Sequence, residues 1–83
     1  MRRAVFQVGE QVEVRCDHLR EGELVNDWLG GQVVAADFRM VAVRLAWPVF
    51  TGDGRLAADR VLWCAHGSPR IRRPGEAKEQ RSA

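Results

Sequence analysis

The reading of the fold turns on Gln11–Val12–Glu13–Val14–Arg15–Cys16. Polar and apolar residues alternate there with period two. Val12, Val14 and Cys16 therefore share one face and Gln11, Glu13 and Arg15 the other, which is the pattern of a strand lying between a core and water. The alternation returns in Met40–Val41–Ala42–Val43–Arg44–Leu45, where Val41, Val43 and Leu45 fall on one side. Between these stretches, residues 28–36 read as a strand carrying Gly30 and Gly31, and paired glycines inside a strand predict a bulge or sharp bend. Asp37–Phe38–Arg39 is short enough to join its neighbours as an antiparallel hairpin. Val61–Leu62–Trp63–Cys64 supplies a fourth strand and Arg70–Ile71–Arg72 a short fifth. The spacing predicts strands near 10–17, 28–37, 39–47 and 60–65.

Working outward, residues 1–9 read as an N-terminal arm that ends in a turn at Gly9. The charged stretch 17–27, which contains Gly22, reads as a surface loop. Pro48 breaks the third strand, and Thr51–Gly52–Asp53–Gly54 is a turn because Asp-Gly accommodates positive φ. From Pro74 onward there is no large apolar residue to offset the entropy of ordering the backbone, so 74–83 is expected to be a disordered basic tail. Short strands in so small a chain leave too many open edges. The expected fold is therefore all-β, a small antiparallel barrel of four to five strands spanning 10–73. Its inward set is Val12, Val14, Val33, Ala35, Val41, Val43, Leu45, Val61 and Ile71.

The chain has 83 residues, 46% hydrophobic and 29% charged, enough for one small domain and too few for a two-domain enzyme. Charge is placed unevenly. Residues 1–69 hold 8 Arg against 9 Asp and Glu, net −1, while 70–83 hold 5 basic residues against 2 Glu, net +3. Charge-free stretches such as 61–68 fall far short of the roughly 18 apolar residues of a membrane span. Lys78 is the only lysine among 13 basic residues, a usage that points to a GC-rich, bacterial source. Two cysteines are too few for a disulfide scaffold, so a reducing cytoplasm is expected, with no signal peptide, and Cys16 and Cys64 read first as small core residues.

Three segments together resemble the agenet and Tudor branch of SH3-like barrels: Phe6–Gln7–Val8–Gly9–Glu10–Gln11–Val12–Glu13–Val14, Asp27–Trp28–Leu29–Gly30–Gly31–Gln32–Val33–Val34, and Pro69–Arg70–Ile71–Arg72–Arg73–Pro74. The resemblance spans about 65 residues: a glycine-acid turn into a V-E-V strand, a tryptophan, small residue and valine in the second strand, and a closing R-P pair. It implies an SH3-like barrel whose ligand, often a methylated lysine or arginine side chain, sits among aromatic faces, since a cation is drawn to the ring quadrupole. The chain departs from the family in having no tyrosine, and a bacterial source has no histone tails to read.

On that resemblance Trp28 takes the place of the family tryptophan. Trp47, Phe50 and Phe38 would complete a cleft, with Asp37 or Asp53 supplying a carboxylate. The competing reading is that Trp28 and Phe50 only cover the open ends of the barrel. Cys16–Asp17–His18 and Cys64–Ala65–His66 repeat one Cys-x-His spacing, so Cys16, His18, Cys64 and His66 are the candidate zinc ligands if the first and fourth strands end together. Against that stand the missing Cys-x-x-Cys turns of zinc knuckles and the alternative of buried thiols with exposed histidines. No cofactor is expected, and a Cys/His nucleophile would find little room for an orienting partner and an oxyanion site.

The leading functional expectation is a non-enzymatic module that binds a protein or peptide segment, in an aromatic cleft or along a strand edge. The alternative is a nucleic-acid-binding barrel using Arg39, Arg44, Arg55, Arg70, Arg72, Arg73 and the basic tail, with stacking on Trp47 or Phe50. An accessory domain that acts within a complex is a third reading.

Overall fold

The computed structural model describes residues 5–75 and has six antiparallel strands: β1 (Gln11–Arg20), β2 (Glu23–Ala36), β3 (Met40–Leu45), β4 (Val49–Phe50), β5 (Val61–Ala65) and β6 (Ile71–Arg72). A single 3-10 turn, Ala58–Arg60, precedes β5. Among the described residues no helix is long and apolar enough to cross a membrane. The tail expected over 74–83 lies outside the described residues from Glu76 onward.

The hydrogen-bonded order is β4-β1-β2-β3-β5, with β6 also pairing β1. β1 thus serves three neighbours. Its whole length pairs with β2, while its other edge takes β6 at Glu13 and Val14 and β4 at Asp17 and His18. The inward row of β1 is the one the alternation predicts, Val12, Val14 and Cys16, continued by His18 at 2% exposure. It meets Leu29, Val33, Val41, Val43, Leu45, Val49 and Ile71 in one core. Of the expected inward set, Ala35 and Val61 are only half-buried. Phe6, from the expected arm, is buried at 2% and belongs to the core.

The expected closed barrel is an open sheet. β5 lies at one end of the ladder and β4 at the other, and no strand pairing joins them among the described residues.

Residues 17–27 form a hairpin and not the loop that their charge suggests. β1 runs to Arg20, β2 starts at Glu23, and Glu21 (φ 52°) and Gly22 (φ 84°) make the two-residue turn, both with the positive φ that matches strand twist. The polar side chains, which read as loop composition, bond across the two strands. Asn26 donates to Asp17 at 2.8 Å and accepts from Arg15 at 2.8 Å, and Arg20 pairs with Asp27 at 3.3 Å.

The glycine pair works differently from a bulge. Gly31 faces inward between Val12 of β1 and Leu45 of β3. A Cβ there would stand 2.6 Å from the Arg44 carbonyl oxygen and 2.8 Å from Val43 Cγ1. Glycine is what lets β3 approach. The bulge itself falls at Val34, where the register slips between Val33 and Ala35, and it bends β2 beyond the glycines.

Gly31→Ala should therefore destabilise the fold by about 1–3 kcal/mol, the usual range for overpacking against a wall that cannot yield. Gly30→Ala, with nothing within 4 Å of the added Cβ, should lose nothing. Urea unfolding of the two variants with equal midpoints would contradict this account of the glycine pair.

Candidate functional site

The unclosed side of the sheet is a groove of about 580 Å³, walled by β5 (Val61–Ala65) on one side and by Val14, Arg15, Cys16 and Asp17 of β1 on the other, with Phe50 and Arg70 along its rim. Its floor is apolar. Leu62 and Cys64 pack on the core, whereas Trp63, on the opposite face of β5, is 58% exposed.

Backbone bonding on β5 follows from one contact. His66 N–H donates to the Arg39 carbonyl at 3.2 Å, and in an antiparallel ladder the bonded positions alternate. Leu62 and Cys64 thus turn their amides and carbonyls to Val43 and Val41, and the intervening residues turn theirs outward. Of the outward groups, the Val61 N–H donates to the Ala58 carbonyl and the Ala65 carbonyl accepts from Ser68 at 3.0 Å. The Val61 carbonyl, both groups of Trp63 and the Ala65 N–H are left without a partner among the described residues.

The aromatic residues chosen from the sequence do not gather. Phe50 lines the groove, Trp47 lies in a cup with His18 and Leu29, and Phe38, 84% exposed on the β2–β3 turn, stands beside Arg39 and His66. Trp28 is already covered by the chain itself: the Arg72 guanidinium carbon is 3.8 Å from its ring centroid. Arg72 also pairs with Glu13 at 2.7 Å, an interaction that fastens the two-residue β6 to β1. The ring expected to face a ligand cation thus already faces an internal one.

Neither carboxylate is free. Asp37 Oδ1 accepts the amides of Arg39 at 2.8 Å and Met40 at 2.7 Å. Those two backbone bonds, with Met40 the larger influence, hold its carboxyl below the ordinary aspartate range. Asp53 accepts from the Thr51 hydroxyl, which lowers its carboxyl as well, and lies 3.6 Å from Arg55.

The arginines are spread out. Arg73 pairs with Glu10, donates to the Val5 carbonyl and lies over the Phe6 ring. Arg44 and Arg60 share a shallow groove with Gln11 and Gln32, Arg39 sits by Phe38, and Arg70 faces the groove at β5. Arg39 lines a different groove from Arg44 and Arg60, and Arg55 lies beside Asp53.

The two Cys-x-His pairs do not converge on a metal site. Among the described residues no group of three His, Cys, Asp or Glu side chains is placed to hold an ion. The cysteines border the groove, but the histidines point elsewhere, and both are buried where exposure was the alternative expectation. His66 Nδ1 accepts the Phe6 amide at 3.2 Å and its Nε2 lies 2.6 Å from the Asp37 carbonyl, which assigns the neutral Nε2–H form. Burial, aided by the Asp17 carboxylate, pushes the Cys16 thiol up to about 11, and burial raises Cys64 too. Both are thiols at neutral pH, unsuited to nucleophilic attack.

The chain matches no known protein family, no curated protein and no solved structure.

The Asp37 carboxylate caps the β2–β3 turn, and its lowered pKa gives the link a sign. Its contribution to stability is present above the unfolded value of about 3.9 and is lost as pH falls through the lower folded value. A carbon-detected NMR titration should find Asp37 with a midpoint below 3.9, and Asp37→Ala should remove the corresponding acid-limb stability. A midpoint at or above that value would show the two amide bonds to be absent in solution.

Proposed function

We propose that this chain is a non-enzymatic interaction module, an SH3-like fold of the Tudor or agenet kind, that takes an extended segment of a partner protein as an added strand on β5. The observation that carries the reading is the state of that edge. Folded proteins protect open strand edges by shortness, by charge or by proline, because unpaired backbone groups template association. β4 and β6 follow the rule with two residues each. β5 does not: its five residues, VLWCA, include no charge and no proline, and its outward groups face a groove deep enough for side chains.

Strand addition uses this arrangement directly. Main-chain bonds to Trp63, Val61 and Ala65 give affinity, and alternate side chains of the segment entering the groove give specificity. The floor at Leu62 and Cys64 favours apolar groups there. Arg70 on the rim favours a segment with one acidic residue. Aromatic contact comes from Phe50 on the groove side of the added strand and from Trp63 on its other side. The nucleic-acid reading has less support, since Arg72 and Arg73 are engaged with Glu13 and Glu10.

The test is an amide-shift titration with a pool of peptides of about nine residues, alternating apolar and polar with one aspartate, then with single-stranded DNA and RNA. Peptide-induced shifts concentrated on 61–65, Cys16 and Arg70 are the expected result. Trp63→Pro removes the outward N–H and leaves the β3 bonds of Leu62 and Cys64. Like the blunting change Trp63→Lys, it should weaken binding at least about tenfold, as loss of an aromatic anchor does, while Phe38→Ser should not. Shifts produced only by nucleic acid and centred on Arg44 and Arg60 would overturn the reading.

A further inference from the structure

A second concave site lies at the hairpin end of the sheet, away from the β5 edge. It is a cup of about 390 Å³ lined by His18, Leu19, Arg20, Glu21, Leu29 and Trp47, within the size range of small-ligand pockets. Leu19 at 49% and Trp47 at 58% leave an exposed apolar rim. At the base is His18, 2% exposed, and neither of its ring nitrogens has a hydrogen-bond partner among the protein groups described. The contrast with His66 is direct, since both nitrogens of that buried ring are bonded. An unsatisfied imidazole is a costly thing to hold in a core where its neighbour in the β1 row, two residues back, is Cys16 and before that Val14.

We propose that this cup binds a phenolic group, the ring lying against Trp47, Leu19 and Leu29 and the hydroxyl bonded to a ring nitrogen of His18. The walls set the ring: an indole and two leucines offer a flat apolar slot. The floor sets the polar substituent. A neutral imidazole presents one donor and one acceptor, and a hydroxyl answers either. An ammonium group at the floor would be buried without a counter-charge, since Glu21 is exposed on the turn. A carboxylate would need a cation that Arg20, turned to Asp27 at 3.3 Å, does not supply and that the imidazole could supply only by becoming a second buried ion. Both ring nitrogens are closed to solvent in the unliganded chain, so the hydroxyl reaches the imidazole by parting the lining of the cup. The chain has no tyrosine, so the phenol comes from outside, either as a tyrosine side chain of a partner or as a free phenolic compound.

The experiment is an NMR titration of the labelled protein with p-cresol and, in parallel, with toluene, which keeps the ring and lacks the hydroxyl. The His18 ring nitrogens and the Trp47 indole are the reporters. p-Cresol should move both signals, and toluene should bind about tenfold more weakly, the equivalent of one hydrogen bond. His18→Phe should make the two ligands equal, and Trp47→Ala, a change at an exposed position, should weaken p-cresol without unfolding the chain. A tyrosine-containing peptide that binds more tightly than p-cresol and than its phenylalanine counterpart assigns the site to a protein partner; p-cresol binding without such a gain assigns it to a free phenol. His18 signals unmoved by p-cresol, equal affinity for toluene in the unaltered protein, or p-cresol affinity unaffected by Trp47→Ala would each overturn the proposal. Trp63 variants leave this site intact, so its failure and that of strand addition at β5 are read separately.

Discussion

Everything in this fold returns to β1. Its inward row, Val12, Val14, Cys16 and His18, is at most 5% exposed, and its two edges carry β2 on one side and β6 and β4 in succession on the other. A one-residue slip would turn that row to water and remove the positions on which both short strands depend. β4 and β6 have two residues each and no ladder of their own to speak of. Val49 and Ile71 hold them by burial, and Arg72 adds a guanidinium that is shared between Glu13 and the Trp28 ring. The tryptophan that resembles a ligand-cage residue is thereby part of what secures the last strand.

The same arrangement leaves the sheet open. Because β1's outer edge is divided between two short strands, neither extends far enough to meet β5, and a groove remains where a barrel wall would close. One buried and one half-buried thiol border that groove, held protonated by desolvation. The chemistry it offers is therefore that of surface and backbone: apolar floor, outward amides and carbonyls, one arginine at the rim.

Much of this was legible in sequence where periodicity is strong. The alternation at 11–16 and 40–45 identified the two inward rows, and its continuation by one more step, to His18, was the available sign that this histidine is buried. The stretch 17–27 has the composition of a loop, yet Asp17, Arg20, Asn26 and Asp27 bond across a hairpin closed by Glu21 and Gly22. Arg72 and Arg73 read as a basic patch since no local pattern reveals partners about 60 residues away at Glu13 and Glu10. Phe38, Trp47 and Phe50 lie on connections whose placement depends on tertiary packing, so no spacing rule could say whether they converge. For Trp63 the sequence does carry a signal: an uncharged VLWCA strand is unguarded wherever it stands at an edge.

Among the described residues β5 presents an open, unpaired edge. Native-state amide hydrogen exchange tests it residue by residue, since adjacent amides on one strand differ only in which way they point. The Leu62 and Cys64 amides, bonded to β3, should be protected by orders of magnitude, while those of Trp63 and Ala65 exchange at close to unprotected rates. Protection of Trp63 and Ala65 equal to that of Leu62 in the isolated protein would mean that the seam is closed, and would contradict the account.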